Sequence, residues 1–158
     1  MDYAYPWSQL ITQWKFAQQP ALARHFARWM RSDPHIAAML EQADWVVPVP
    51  MSAQRLGERG YNQAALLSQH LTPHKYCLHV LLRTHLTPAQ SASTRAQRLR
   101  QLRHAFAVAP SERSSVEGRR IVLVDDVMTT GATMAAASRC LLQAGARQVQ
   151  VLSLARTP

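Results

Sequence analysis

One segment of the sequence combines a strand, an acid pair and a small-residue loop in an order that few folds accommodate. A run of four apolar residues, IVLV, leads directly into Asp125 and Asp126. After two further apolar residues the chain continues as TTGAT and then as an alanine-rich segment that ends at Gly145. This order predicts a buried strand, a tight loop and a helix over residues 132 to 143.

The rest of the chain alternates strand-like and helical segments around this unit. Helical spacing between residues 7 and 31 is interrupted at Pro20, which predicts two helical pieces, and Asp33 can cap a further helix opened by Pro34. Alternation of this kind is typical of a parallel sheet that helices cover on both faces. The other predicted helices run from Asn62 to Leu71 and over 95 to 103, and the predicted strands are 45–50, 76–83, 120–125 and the C-terminal RQVQVLSLAR.

These segments predict one α/β domain of three layers over residues 1–158, with an N-terminal helical part, 1–43, and a core, 44–158. The sequence contains no uninterrupted apolar run of about 18 residues, so we expect no membrane span. The start of the chain, MDYAYPWSQL, is acidic where a signal peptide is basic, and we expect a cytoplasmic protein. Cys77 and Cys140 lack metal-ligand spacing and are predicted to be reduced thiols.

The charge of the chain leaves two interpretations open. Eighteen basic residues against nine acidic ones give a net charge of +9, and the only lysines are Lys15 and Lys75. The many arginines can form a solvated basic surface, or they can attract polyphosphates or nucleic acid.

The acid pair and the loop after it predict a binding site beyond the carboxyl end of the strand. Backbone amides of the loop and of the helix start suit an anion, Gly131 permits close approach, and the threonines add hydroxyl donors. The carboxylates suit neutral hydroxyls, or a metal already bound to phosphate. A sugar phosphate satisfies both halves. A P-loop is excluded because the run G-x-x-x-x-G-K-[ST] is missing, and a receiver domain has its acid pair near the N-terminus.

The segment IVLVDDVMTTGAT resembles the phosphoribosyl-pyrophosphate (PRPP) motif of type I phosphoribosyltransferases. The resemblance implies a type I phosphoribosyltransferase-like fold in which Asp125 and Asp126 hold the ribose hydroxyls. It also implies Mg²⁺ as a cofactor that bridges pyrophosphate and ribose oxygens near these acids, with no metal ligand assigned to the protein itself. The residues implied for the 5′-phosphate are Met128, Thr129, Thr130, Gly131, Ala132 and Thr133.

Further segments resemble the ComF/GntX competence-protein family, which is built on this fold. They are VVPVPMSAQRLGERGYNQA, LLRTHLTPAQSASTRAQRLRQLRHAF, LITQWKF and GARQVQVLSLART, so the resemblance covers essentially the whole chain. Members commonly carry an upstream Cys-rich zinc module, and this sequence begins just after the place where that module would end. Both a single domain of a longer protein and a short family member fit this start. Gln97 and Gln101 stand where the family usually has Glu and Asn.

The resemblance also implies groups for the pyrophosphate and for a flexible hood. The segment after the first core strand is predicted to be a loop. In it, Arg55 and Arg59 are the candidate pyrophosphate cations, and Met51 and Ser52 supply backbone. Tyr61 and Asn62 are expected to pack and to cap a helix. The hood is expected at about 84–95, and its candidate closing contacts are Arg83, Gln90, Arg95 and Arg98.

Two functions remain open at this level. One is a protein that binds PRPP with Mg²⁺ and acts in DNA uptake, natural transformation or DNA utilisation, with single-stranded DNA and competence proteins as candidate partners. The other is an active transferase that moves ribose 5-phosphate to an unidentified nitrogenous acceptor. Purine phosphoribosyltransferases have an Asp as the first residue of the phosphate loop, where this chain has Thr129. No catalytic residue is therefore assigned.

Overall fold

A parallel sheet lies at the centre of the computed structural model, which describes residues 1–17, 19–84 and 105–157. The strands are β1 (Trp45–Pro48), β2 (Leu81–Arg83), β3 (Phe106–Val108), β4 (Arg120–Met128) and β5 (Gln148–Arg156). Among the described residues the central sheet has the order β1-β4-β5, and β2 pairs antiparallel with β3 in a separate ribbon. The predicted α/β fold with a parallel sheet is confirmed.

The strands of the central sheet end at different levels. Pro48, the last residue of β1, lies opposite Val124, and the Val49 amide donates to the Val124 carbonyl at 2.8 Å. Pro50 has no amide hydrogen and cannot extend this pairing. On the other side, β4 remains paired with β5 as far as Met128. The end of β4 therefore runs past β1, and this step leaves room for a pocket beside the acid pair.

Helices precede, connect and cover the strands. The helices are α1 (Trp7–Phe16), α2 (Leu22–Arg31), α3 (Pro34–Gln42), α4 (Ala53–Arg59), α5 (Gln63–Leu71), α6 (Arg113–Val116) and α7 (Ala132–Gln143), with short 3₁₀ turns at Pro73–Lys75 and Pro110–Glu112. Two predicted caps are confirmed, since Asp33 accepts from the His35 amide at 2.8 Å and Asn62 from the Ala65 amide at 3.3 Å. Within the described ranges, no helix has the length and apolar character that crossing a bilayer requires.

The two faces of β4 belong to two hydrophobic clusters. Val122 and Val124 pack with residues of α1, α2, α3 and α5, while Ile121 and Leu123 pack with α7, β2 and β3. Successive strand side chains point to opposite faces, so a continuous apolar strand requires a covering layer on each side. The three-layer arrangement follows from this requirement.

Two local predictions were wrong. Residues 76–83 do not form one strand of the central sheet: Tyr76 makes a single bridge to Val46, and only Leu81–Arg83 is a strand, paired with Phe106–Val108. The apolar run was sufficient for strand pairing but did not specify the partner. The segment after β1, predicted as a loop, contains α4, whose start the Ser52 hydroxyl caps by accepting from the Arg55 amide at 3.4 Å.

Candidate ligand-binding site

The acid pair lies in the last part of β4, and local hydrogen bonds fix both carboxylates. The Asp126 amide donates to Asp125 Oδ1 at 2.9 Å, and the Val127 amide donates to Asp126 Oδ1 at 2.6 Å. Burial, and then the negative charge of Asp126, raises the pKa of Asp125 to about 7. A cation or hydroxyl donor brought to Asp125 would relieve this unfavourable burial of charge.

The loop between β4 and α7 turns through Gly131, whose φ of 73° lies in the left-handed region. The Thr130 hydroxyl accepts from the Ala132 amide at 3.4 Å, and the Ala135 amide donates to the Gly131 carbonyl at 2.9 Å. Thr129 and Thr130 are exposed. The start of α7 carries the positive end of a helix dipole, so the loop suits an anion.

Three arginines approach the acid pair from other elements: Arg55 and Arg59 of α4, and Arg83 of β2. Arg59 of α4 donates to Gln63 Oε1 at 3.2 Å and lies 5.2 Å from the centre of the Phe16 ring. Arg83 of β2 lies 5.5 Å from the centre of the Phe106 ring, and burial followed by repulsion from Arg55 lowers its pKa. Since an arginine stays protonated at neutral pH, this group of charges favours a polyanion.

These groups meet around one pocket of about 380 Å³. A pocket of this size suits a small-molecule ligand. Its lining is mostly charged and polar, with cations on several elements and both carboxylates of the acid pair. The residues that line it are Lys15, Val49, Pro50, Met51, Arg55, Arg59, Asn62, Ala64, Arg83, Asp125, Asp126, Val127, Thr129 and Thr133.

Lys15 belongs to the pocket although no role was predicted for it. Its Nζ lies 2.9 Å from Asp126 Oδ2, and Arg59 Nη1 lies 3.9 Å from the same oxygen. The segment LITQWKF, which contains Lys15, indicated a family resemblance but no role for the lysine. A lone lysine near the end of an amphipathic helix gives no local signal of a contact with a strand so distant in the sequence.

Comparison with known protein families decides the assignment of the fold. The model of the phosphoribosyl transferase domain matches residues 18–158. The chain belongs to this family.

Curated relatives of this phosphoribosyl transferase domain are named as DNA utilization or competence proteins. It is 37% identical over 162 residues to the DNA utilization protein YhgH of Escherichia coli strain K12, covering 99% of this chain and 70% of that protein. It is 35% identical over 162 residues to Competence protein F of Haemophilus influenzae, covering 98% of this chain and 69% of that protein. Among solved structures, glutamine PRPP amidotransferase from B. subtilis matches 84% of this chain and 26% of its own, with 27% identity and a TM-score of 0.49.

The structure of this phosphoribosyl transferase domain brings most of the predicted site residues to one place. Asp125, Asp126, Thr129 and Thr133 line the pocket together with Met51, Arg55, Arg59 and Arg83. Ser52 instead caps α4. Met128, Thr130, Gly131 and Ala132 form the adjoining strand end and loop, while Gln90, Arg95 and Arg98, with nearly all of the predicted hood, lie outside the described residues. The ligand roles of these residues stay predictions.

Tyr61 and Asn62 were predicted to pack and to cap, and this is confirmed. The Tyr61 hydroxyl donates to the Trp14 carbonyl. Asn62 caps α5 and also donates through Nδ2 to the Val49 carbonyl at 3.1 Å. These bonds hold α1, α5 and the end of β1 together around the pocket.

Proposed function

We propose that this chain binds PRPP together with Mg²⁺ in the pocket, and that it acts in DNA uptake or DNA utilisation. The observation that carries the proposal is the distribution of charge around the pocket. Carboxylates lie at one place, a loop with backbone amides and threonine hydroxyls adjoins them, and cations approach from other elements. PRPP has a matching distribution, with neutral ribose hydroxyls between a 5′-phosphate and a diphosphate.

Each part of the ligand has a partner of suitable chemistry. The ribose hydroxyls would donate to Asp125 and Asp126, and the 5′-phosphate would accept from the amides and hydroxyls of residues 129–133. The diphosphate would lie towards the arginines, whose guanidinium groups suit phosphate oxygens.

The acid pair also fits a divalent cation that arrives with the ligand. Among the described residues, no group of three or more His, Cys, Asp or Glu side chains could hold a metal ion. Two carboxylates alone would leave most of the coordination of Mg²⁺ to water and to substrate phosphates, which is how this ion commonly binds. When bound, Mg²⁺ would neutralise charge on the diphosphate.

Isothermal titration calorimetry with PRPP tests the proposal. We expect binding in the presence of Mg²⁺, and a loss of affinity of at least about tenfold in the variant Asp125→Asn with Asp126→Asn, since charged hydrogen bonds contribute roughly 1.5–3 kcal/mol. Glu58→Gln is the matched control because Glu58 is an exposed acid of α4 that does not line the pocket. Unchanged affinity in the double variant would contradict the assignment of the ribose site.

The role in DNA uptake or utilisation is supported by the names of the curated relatives and by the net charge of +9. Deletion of the gene is expected to lower uptake of, or growth on, external DNA. Complementation with the Asp125→Asn, Asp126→Asn variant separates a role that needs the pocket from one that does not. Full complementation by this variant would show that the pocket is not required.

Phosphoribosyl transfer is the second candidate function, and family membership favours it. In this reaction a bond forms between the anomeric carbon and an acceptor nitrogen, while the bond from that carbon to the diphosphate oxygen breaks. A pyrophosphate-release assay with orotate, purines, uracil and ammonia tests it. Binding of PRPP without release in the presence of any of these acceptors would favour the binding role.

A further inference from the structure

The ion pair between Lys15 and Asp126 connects the N-terminal helix to the acid pair. The two charged atoms are 2.9 Å apart, and each side chain is only 13% exposed. The attraction between two charges shielded from water is stronger than that of a surface pair, because less solvent screens it. Helix α1 therefore contributes a charge to a pocket otherwise formed by the core of the domain.

Asp126 already has partners for both oxygens without a ligand. Its Oδ1 accepts from the Val127 amide at 2.6 Å, and its Oδ2 faces Lys15 Nζ, with Arg59 Nη1 at 3.9 Å. A ribose hydroxyl that donates to Oδ2 has to compete with the ammonium group. Binding of a sugar phosphate is therefore coupled to the position of Lys15.

The arginines near Lys15 would bring a bound anion within reach of its ammonium group, which then has a second possible partner. The side chain lines the same pocket as Arg55, Arg59 and Arg83, so an anion bound near these arginines also lies near Lys15. Lysine carries its charge on a flexible stem with three donors, and it can change partners with a small rotation of that stem.

We propose that Lys15 is a ligand-binding residue that exchanges partners. In the free protein its ammonium pairs with Asp126, and in the complex it turns to the diphosphate while the ligand's hydroxyls take its place at the carboxylate. This proposal rests on the proposed function, because it assumes that PRPP occupies the pocket. The alternative is a fixed ion pair that only holds α1 against the core.

Affinities for two ligands distinguish exchange from a fixed pair. For Lys15→Gln we expect the affinity for PRPP with Mg²⁺ to fall about tenfold to a hundredfold, as for the loss of a charged hydrogen bond. The affinity for ribose 5-phosphate, which has no diphosphate, should change by less than about threefold. Lys75→Gln is the control: Lys75 is the other lysine of the chain, and its Nζ donates to the Leu40 and Glu41 carbonyls. A parallel loss of both affinities in Lys15→Gln would overturn the proposal.

The lysine resonances give a readout on the unmutated protein. Reductive ¹³C-methylation labels Lys15, Lys75 and the N-terminal amine. The signal lost in Lys75→Arg is that of Lys75, and the signal lost in Lys15→Gln is that of Lys15. On titration with PRPP and Mg²⁺, with binding followed by calorimetry on the same sample, we expect the Lys15 signal to shift and the Lys75 signal to stay. A stationary Lys15 signal in a sample that binds PRPP would overturn the exchange alone. Absence of PRPP binding by unlabelled wild-type protein would overturn the proposed function, and the exchange with it.

Discussion

At the residue scale, burial of the Asp125 carboxyl in the candidate site opposes folding at neutral pH. Its pKa is raised from 3.8 to about 7, so the folded chain retains a proton that the unfolded chain releases above about pH 4. The carboxyl therefore opposes folding increasingly as the pH rises from about 4 to about 7, and its full effect remains above that range.

We expect Asp125→Asn to stabilise the free protein at pH 8, by about 1–3 kcal/mol, and to change its stability little at pH 4. Urea denaturation at the two pH values measures this difference. Glu58→Gln, which removes an exposed acid, should shift stability by less than about 0.5 kcal/mol at both. A variant no more stable than the wild type at pH 8 would show that the Asp125 carboxylate is compensated in the free protein.

Gly131 permits the turn in the loop for which we propose phosphate binding. At a φ of 73°, a residue with a Cβ would be strained, although the nearest atom, Met128 Sδ, would lie at an ordinary contact distance of 3.6 Å. Gly131→Ala should therefore lower the free energy of unfolding by about 1–2 kcal/mol and weaken PRPP binding. Gly57, within α4, has no atom within 4 Å of an added Cβ, so Gly57→Ala should be neutral or stabilising. Equal effects of the two substitutions in thermal unfolding would contradict the argument from φ.

Helix α7 connects the loop to the hydrophobic cluster that contains Ile121 and Leu123. Leu141 is fully buried, whereas the next residue, Leu142, is 48% exposed. We expect Leu141→Ala to lower the free energy of unfolding by about 2–5 kcal/mol, and Leu142→Ala to lower it by less than about 1 kcal/mol. Urea denaturation of both variants tests whether α7 packs through this face. A larger loss for Leu142→Ala would mean that the helix is rotated about its axis.

Local pattern was sufficient to predict some elements and insufficient for others. The predicted helix 132–143 matches α7 because a glycine turn and Gly145 define its ends, and the strand beginning at 120 matches the start of β4. The prediction of one strand over 76–83 was wrong because an apolar run does not specify a partner strand. Helix α4 was missed because its glycine and polar residues give no apolar periodicity, although Ser52 was an available cap signal.

The same limit applies to the site. The acid pair and the threonine loop are separated by only two residues, so their proximity could be predicted from one strand–loop–helix unit. Arg55 and Arg83 were proposed only through a family resemblance, and the structure places them in the pocket. Lys15 reaches Asp126 only because α1 packs across the core, which is a tertiary contact that no local pattern records.

For the whole molecule, we propose that the net charge of +9 attracts nucleic acid in a salt-dependent way. We expect single-stranded DNA to bind, and its affinity to fall steeply between about 50 and 200 mM salt, because phosphate contacts release counterions. Fluorescence anisotropy with a labelled oligonucleotide measures both. An affinity that does not change with salt, or no binding at low salt, would contradict direct binding of DNA through its phosphates.

We propose that the acid pair and the loop of residues 129–133 hold opposite ends of one phosphoribosyl group. A crystal structure with PRPP and Mg²⁺ would test this arrangement. We expect the 5′-phosphate at the start of α7, the ribose hydroxyls on Asp125 and Asp126, and the diphosphate towards the arginines and Lys15. Ligand density elsewhere, or a phosphate in the loop with the ribose turned away from both carboxylates, would contradict it.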